Sequence, residues 1–194
     1  MSHTLTLAQD PDADALLSDD PFALLVGMLL DQQFPMEQAF AGRLCWRPGW
    51  STPGRLDPAT VLAADEATLL AAAKGPPAVH RYPGSMVSRV AALAQIVVDE
   101  AAPATPRPLW AEGTGQIRAR LKALPGFGDQ KSKIFLALLA KQLDVKPVGW
   151  QKACAPYGNK GTTMSIADVT GPDSLLKVRE WKQAQKAKGE VLTQ

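Results

Sequence analysis

"LKALPGFGDQKSKIFLALLAKQ", residues 121–142, holds the pattern that decides the fold. Leu121 and Leu124 finish one helix, Gly126 and Gly128 make a tight reversal, and Ile134 with Leu138 anchors a second helix. Two glycines so placed serve the backbone, because they allow positive φ and let main-chain N–H groups approach an anion with no Cβ in the way. The helix that follows then begins with the positive end of its dipole turned toward that anion. Such a site would suit a nucleic-acid phosphate and would read backbone, not sequence. An ordinary αα-turn with a glycine stop is the alternative.

Upstream, "DDPFALLVGMLLDQQF" has Asp20 in N-cap position and Pro21 at the first helical position, then an apolar run with few polar breaks. This predicts a buried central helix. Pro35 opens a second helix with Met36, Phe40 and Leu44 at four-residue spacing, so Gln32 and Gln33 occupy a tight turn between the two. "DPATVLAADEATLLAAAKG" reads as one or two short helices ending at Gly75, and "SMVSRVAALAQIVVDE" as a helix with Val87, Val90, Leu93 or Ala94, and Val97 on one side. "AAPATPRP", from Ala101, reads as a linker or surface loop. With no strand-period run and no repeat, the expected fold is all-α. Beyond Gly158, a polar stretch leads to "LLKVREWKQAQKAKGE", a basic terminal helix or frayed tail.

Composition sets outer bounds. The 194 residues suit one domain or two small lobes on a shared core, with 46% hydrophobic and 21% charged residues. No apolar run reaches the roughly 20 residues a membrane helix needs. The acidic N-terminus lacks the basic-then-apolar order of a secretory signal, so a cytoplasmic protein with no membrane partner is expected. Cys45 and Cys154 are too few for an iron-sulfur cluster or zinc ribbon, and His3 and His80 fall in no metal-ligand spacing, so no metal is expected. The net charge of +2 conceals a gradient: up to Lys74 there are 4 Lys and Arg against 10 Asp and Glu, and after it 17 against 9. A basic face for a polyanion and a solvated helical surface both fit that gradient.

The hairpin, together with "PFALLVGMLLDQQFPMEQAF", resembles the helix-hairpin-helix DNA glycosylases of the HhH-GPD superfamily, which includes endonuclease III, MutY and the alkyladenine glycosylases. The likeness runs from about Asp20 to Tyr157, with the hairpin at about 117–141, an N-terminal segment at 1–19 and a C-terminal polar segment with the basic helix at 158–194. It implies a two-lobed all-α base-excision repair protein, monomeric, acting on double-stranded DNA, damaged or intact. The implied DNA contacts are Gly126, Phe127, Gly128, Gln130, Lys131 and Lys133, with Gln32 and Gln33 at the turn that wedges into the duplex. An amide is flat and offers a donor and an acceptor to an orphaned base, although turn residues that satisfy helix ends look the same in sequence.

The resemblance also locates departures. Bifunctional members carry an imine-forming lysine where this chain has Gln130, and Lys131 points about 100° away around the helix. Strand cleavage through a lysine imine is therefore not expected, while base release by activated water is. The family's catalytic aspartate lies in a segment matched here by Val148, Gly149, Trp150 and Gln151, and Gly149 has no carboxylate to stabilise a positive sugar. Asp144 and Asp31 are the candidate substitutes, each with a helix-end or surface role as alternative. Asp129 reads as an N-cap that would repel phosphate. Trp150 and Tyr82 are candidates for stacking on an extruded base, and Lys146 and Lys152 for neutralising phosphates. No cofactor is implied. A DNA-binding module that has lost catalysis fits the same pattern.

Overall fold

A computed structural model of the chain describes residues 4–45, 56–75, 78–100 and 113–189, apart from the side chains of 43–45 and 100. Among the described residues there are ten α-helices and no strand: α1 (Pro11–Asp19), α2 (Pro21–Leu30), α3 (Met36–Cys45), α4 (Pro58–Ala63), α5 (Glu66–Lys74), α6 (Pro83–Glu100), α7 (Thr114–Ala123), α8 (Asp129–Gln142), α9 (Trp150–Ala153) and α10 (Pro172–Ala187). A 3-10 turn, Ile166–Asp168, precedes α10. The all-α expectation matches this architecture, and no described helix is long and apolar enough to cross a membrane. The linker read at 101–108, the Cys45 side chain and His3 lie outside the described residues.

Helix α2 forms where the sequence starts it. Asp20 accepts from Ala23 N–H at 3.0 Å as N-cap, and its other oxygen accepts from Leu56 N–H at 2.5 Å. Every residue from Phe22 to Leu30 is then buried, because α2 is covered by α1, α3 and α6. The chain reverses at 31–35 into α3, which buries Met36 and Phe40, and α4 and α5 pack on α6. Helix α6 buries Met86, Val87, Val90, Leu93 and Ala94, close to the expected stripe, with Val97 half-buried. Helix α8 buries Ile134 through Ala140, and α7 leans on it through Ile117 and Leu121.

The segment after Gly158 is held on the core as far as it is described. Gln142 Nε2 donates to the carbonyls of Ile166, Ala167 and Val169 at 3.3, 3.0 and 3.1 Å, which fixes the 3-10 turn on α8. Leu175 and Val178 then join the same apolar cluster as Leu5, Leu7 and the residues of α2. Both terminal segments therefore pack on one core, and α10 is anchored beside the Gln32–Gln33 turn.

Candidate nucleic-acid interface

Gly126 and Gly128 do different work. Gly126 has φ of +74°, and a Cβ there would lie 2.6 Å from Leu29 Cδ1 and 2.9 Å from Gln32 Nε2, so the bend is pressed against the end of α2. Gly128, at φ −83°, is exposed, and a Cβ there would meet open space. It is the N-cap of α8, without a side-chain cap, and the first backbone bond of that helix runs from Ser132 N–H to the Gly128 carbonyl. The amides of Asp129 and Gln130 thus have no partner inside the helix. Asp129 is not the expected N-cap but the first helical residue. Its carboxylate is ringed by Arg118 Nη2 at 2.5 Å, Lys133 Nζ at 3.0 Å and Lys122 Nζ at 3.7 Å. Hydrogen bonds from Lys133 and then Arg118 hold its pKa down to about 2.

Two residues expected to touch DNA face inward instead. Phe127 is buried, its ring edge-on to Phe135 at 5.9 Å, because the bend needs an apolar plug between α7 and α8. Lys131 is 4% exposed, and its ammonium donates to the carbonyls of Met28 at 2.7 Å, Asp31 at 3.1 Å and, more weakly, Leu29 at 3.4 Å. Those carbonyls are the unsatisfied C-terminal acceptors of α2, so Lys131 caps a helix that lies far away in sequence. Burial pulls its pKa down to about 8; Asp31 opposes this, while Arg89 and Lys182 add to it.

The glutamine turn sits beside the hairpin, as the wedge reading requires, but Gln32 is already occupied. Its Nε2 donates to the Leu29 carbonyl at 2.8 Å and its Oε1 accepts from Arg89 Nη1 at 2.8 Å. Because His80 Nδ1 accepts from Tyr82 N–H, its Nε2 carries the proton and donates to the Gln32 carbonyl at 2.7 Å. Gln33, exposed and left-handed at φ +54°, is the glutamine with a free reach. Arg89, which the sequence does not single out, and His80, which it marks only as outside any metal-ligand spacing, hold the turn through contacts that span 57 and 48 residues.

A groove of about 670 Å³ runs between Arg118, Lys122 and Asp129 on one side and Val148, Gly149 and Lys152 on the other. Thr114 Oγ1 closes one end by donating to the Val148 carbonyl at 2.6 Å. Gly149, where the resemblance expects an acid, lies across this groove from the hairpin, and the carboxylate opposite it is Asp129. Asp144 does not take its place: it is exposed at φ +58° and ion-paired with Lys146. Asp31 is buried at the end of α2, with Oδ1 lacking any hydrogen-bond partner. Gln130 is half-buried and donates to Tyr157 Oη at 2.8 Å.

The stacking candidates separate. Tyr82 is 54% exposed, with its ring 6.0 Å from that of His80, which lies 5.2 Å from Phe34. Trp150 packs on the core and faces a different pocket, shared with Lys141 and Asp168. A third cleft, of about 650 Å³, lies between the 33–37 segment and α10. Among the described residues, no group of His, Cys, Asp and Glu is gathered as a metal site needs. Comparison of the chain with protein-family models, with curated proteins and with solved structures finds no match.

Proposed function

We propose that the chain binds double-stranded DNA by its backbone, as a base-excision repair protein with the two-lobed HhH-GPD arrangement. The observation that carries this reading is the contact of Gly126 with Gln32: the exposed start of α8 and the glutamine turn share one side of the molecule. Around that start, Arg118, Lys122 and Lys133 supply positive charge, and Lys152 faces them across the groove. Open amides at a helix start with clustered cations make a phosphate site.

Of the two readings of activity, binding without cutting has the better support. Gln130 has no amine to form an imine, Gly149 has no carboxylate, and Asp144 is spent on Lys146 at the surface. Base release, by hydrolysis of the N-glycosidic bond of an extruded nucleotide, rests on Asp31 alone, favoured by its unpartnered oxygen beside the glutamine turn.

The test follows from the open space at Gly128. Gly128→Leu fits the backbone but covers the amides, so its affinity for duplex DNA, read by fluorescence anisotropy, falls while its circular dichroism stays that of the parent. Unchanged affinity would remove the hairpin from the DNA contact. Single-turnover assays on alkylated, oxidised and deaminated duplexes decide the activity: no free base is expected, and a base released by the parent but not by Asp31→Asn would establish the glycosylase instead.

A further inference from the structure

The cleft between the 33–37 segment and α10 is made by Gln33 and Phe34 from the turn, Arg81 from the connector before α6, and Arg179, Lys182 and Lys186 from α10. One carboxylate enters it, Glu37, which is ion-paired with Arg179 while its Oε2 has no partner. Four basic side chains against one acidic one leave a net charge of +3. Arg81 and Lys186 are exposed, and among the described residues neither is held in an ion pair.

Lys182 is the telling member. Its ammonium is partly withdrawn from water, and its hydrogen-bond partner among the described residues is the thioether of Met36, 3.2 Å away. A thioether is a weak acceptor, and an ammonium has three donors. Burial pulls the Lys182 pKa down and outweighs the attraction of Asp31, which acts on this ammonium without an ion-pair contact. The remaining donors therefore suit an incoming anion, and a volume of about 650 Å³ is that of a ligand site.

We propose that this cleft is a second phosphate-binding site, which takes the sugar-phosphate backbone of the same DNA strand whose neighbouring phosphate is held at the hairpin. The proposal rests on the DNA reading above and extends it. Gln32 touches the hairpin and Gln33, the next residue, lines the cleft, so the two sites flank one turn. Phe34 lines the cleft and is joined through the buried ring of His80 to the half-exposed ring of Tyr82, so one open aromatic ring lies beyond the cations of the cleft. Phosphate is the chemistry recognised, and a free mononucleotide presents it too.

Arg81→Ala combined with Lys186→Ala removes two exposed cations and leaves the core intact. Its binding of duplex DNA and of deoxyadenosine monophosphate is compared with that of the parent and of Gly128→Leu across a range of salt. With a salt slope of about 0.9 for each phosphate contact, losing two contacts flattens the slope by about 1.8 and weakens DNA binding roughly 60-fold at 0.1 M salt. That outcome, with circular dichroism unchanged, supports the site. Loss confined to the mononucleotide arm assigns the cleft to a free nucleotide and overturns the strand assignment. Loss in neither arm overturns the site altogether. If Gly128→Leu has no effect while the cleft variant weakens DNA binding, the hairpin reading falls and the cleft stands.

Discussion

The ammonium of Lys131 lies 2.7 Å from the carbonyl oxygen of Met28, and this contact ties the first turn of α8 to the last turn of α2. Its consequence is mechanical. The hairpin and the glutamine turn are held at a fixed spacing, so a ligand gripped by one meets the other without a rearrangement.

Lys131→Met breaks the tie. The carbonyls of Met28 and Asp31 lose a charged donor and remain largely out of water, which destabilises the fold by about 2 kcal/mol at neutral pH. The pH dependence has a definite sign. With the lysine pKa at about 8 in the folded protein and an ordinary value of 10.5 unfolded, the unfolded chain holds the extra proton between these limits. Stability contributed by this group therefore rises as pH climbs from about 8 to 10.5, by about 3 kcal/mol in all. Urea denaturation at several pH values should show that rise in the parent and its absence in Lys131→Met; parallel curves would contradict the assignment.

The hairpin glycines should behave unequally. Gly126→Ala drives a Cβ into Leu29 and Gln32 and demands a left-handed backbone, so a loss of about 2 kcal/mol is expected. Gly128→Ala meets open space at an ordinary φ and should stay within about 0.5 kcal/mol of the parent. Denaturant midpoints compare the two directly. Equal losses would mean that Gly128 also has a packing role.

What could be read from the sequence was local. Asp20 and Pro21 start α2 through contacts three residues away, and Gly126 and Gly128 bend the chain where they stand. The partners of Lys131, by contrast, are about a hundred residues distant, and nothing in the hairpin names them. A weaker signal was present, because Lys131 shares the helical face of Ile134, Phe135 and Leu138, all buried. The same spacing joins Lys182 to Leu175 and Val178 and would have distinguished α10 from a frayed tail. Asp144 followed the opposite course: beside a missing acid in sequence, it is turned out to solvent by its left-handed backbone.

Asp168 decides whether α10 stays in place. One of its oxygens accepts from Lys141 Nζ at 2.6 Å and Thr162 Oγ1 at 3.0 Å, and the other accepts from the amides of Met164 and Ser165 at 2.8 and 3.2 Å. Asp168→Ala leaves Lys141 and two amides without their acceptor and is expected to cost about 3 kcal/mol. Amide hydrogen exchange should show protection lost first along α10. If exchange accelerates evenly across the fold, Asp168 is not a local clasp.

On the proposed DNA reading, Asp129 competes with phosphate for the cations of the hairpin. Its depressed pKa, about 2, means that the carboxylate stays charged and holds Arg118 and Lys133 throughout the neutral range, releasing them only in strong acid. Asp129→Asn frees those cations at neutral pH and removes a negative charge from the start of α8, where the helix dipole favours an anion. Duplex affinity should rise about tenfold at 0.1 M salt, with a steeper salt slope, as expected for one further phosphate contact. A fall in affinity would show instead that the carboxylate arranges Arg118 and Lys133 for the strand, so that its removal scatters the site it was expected to open.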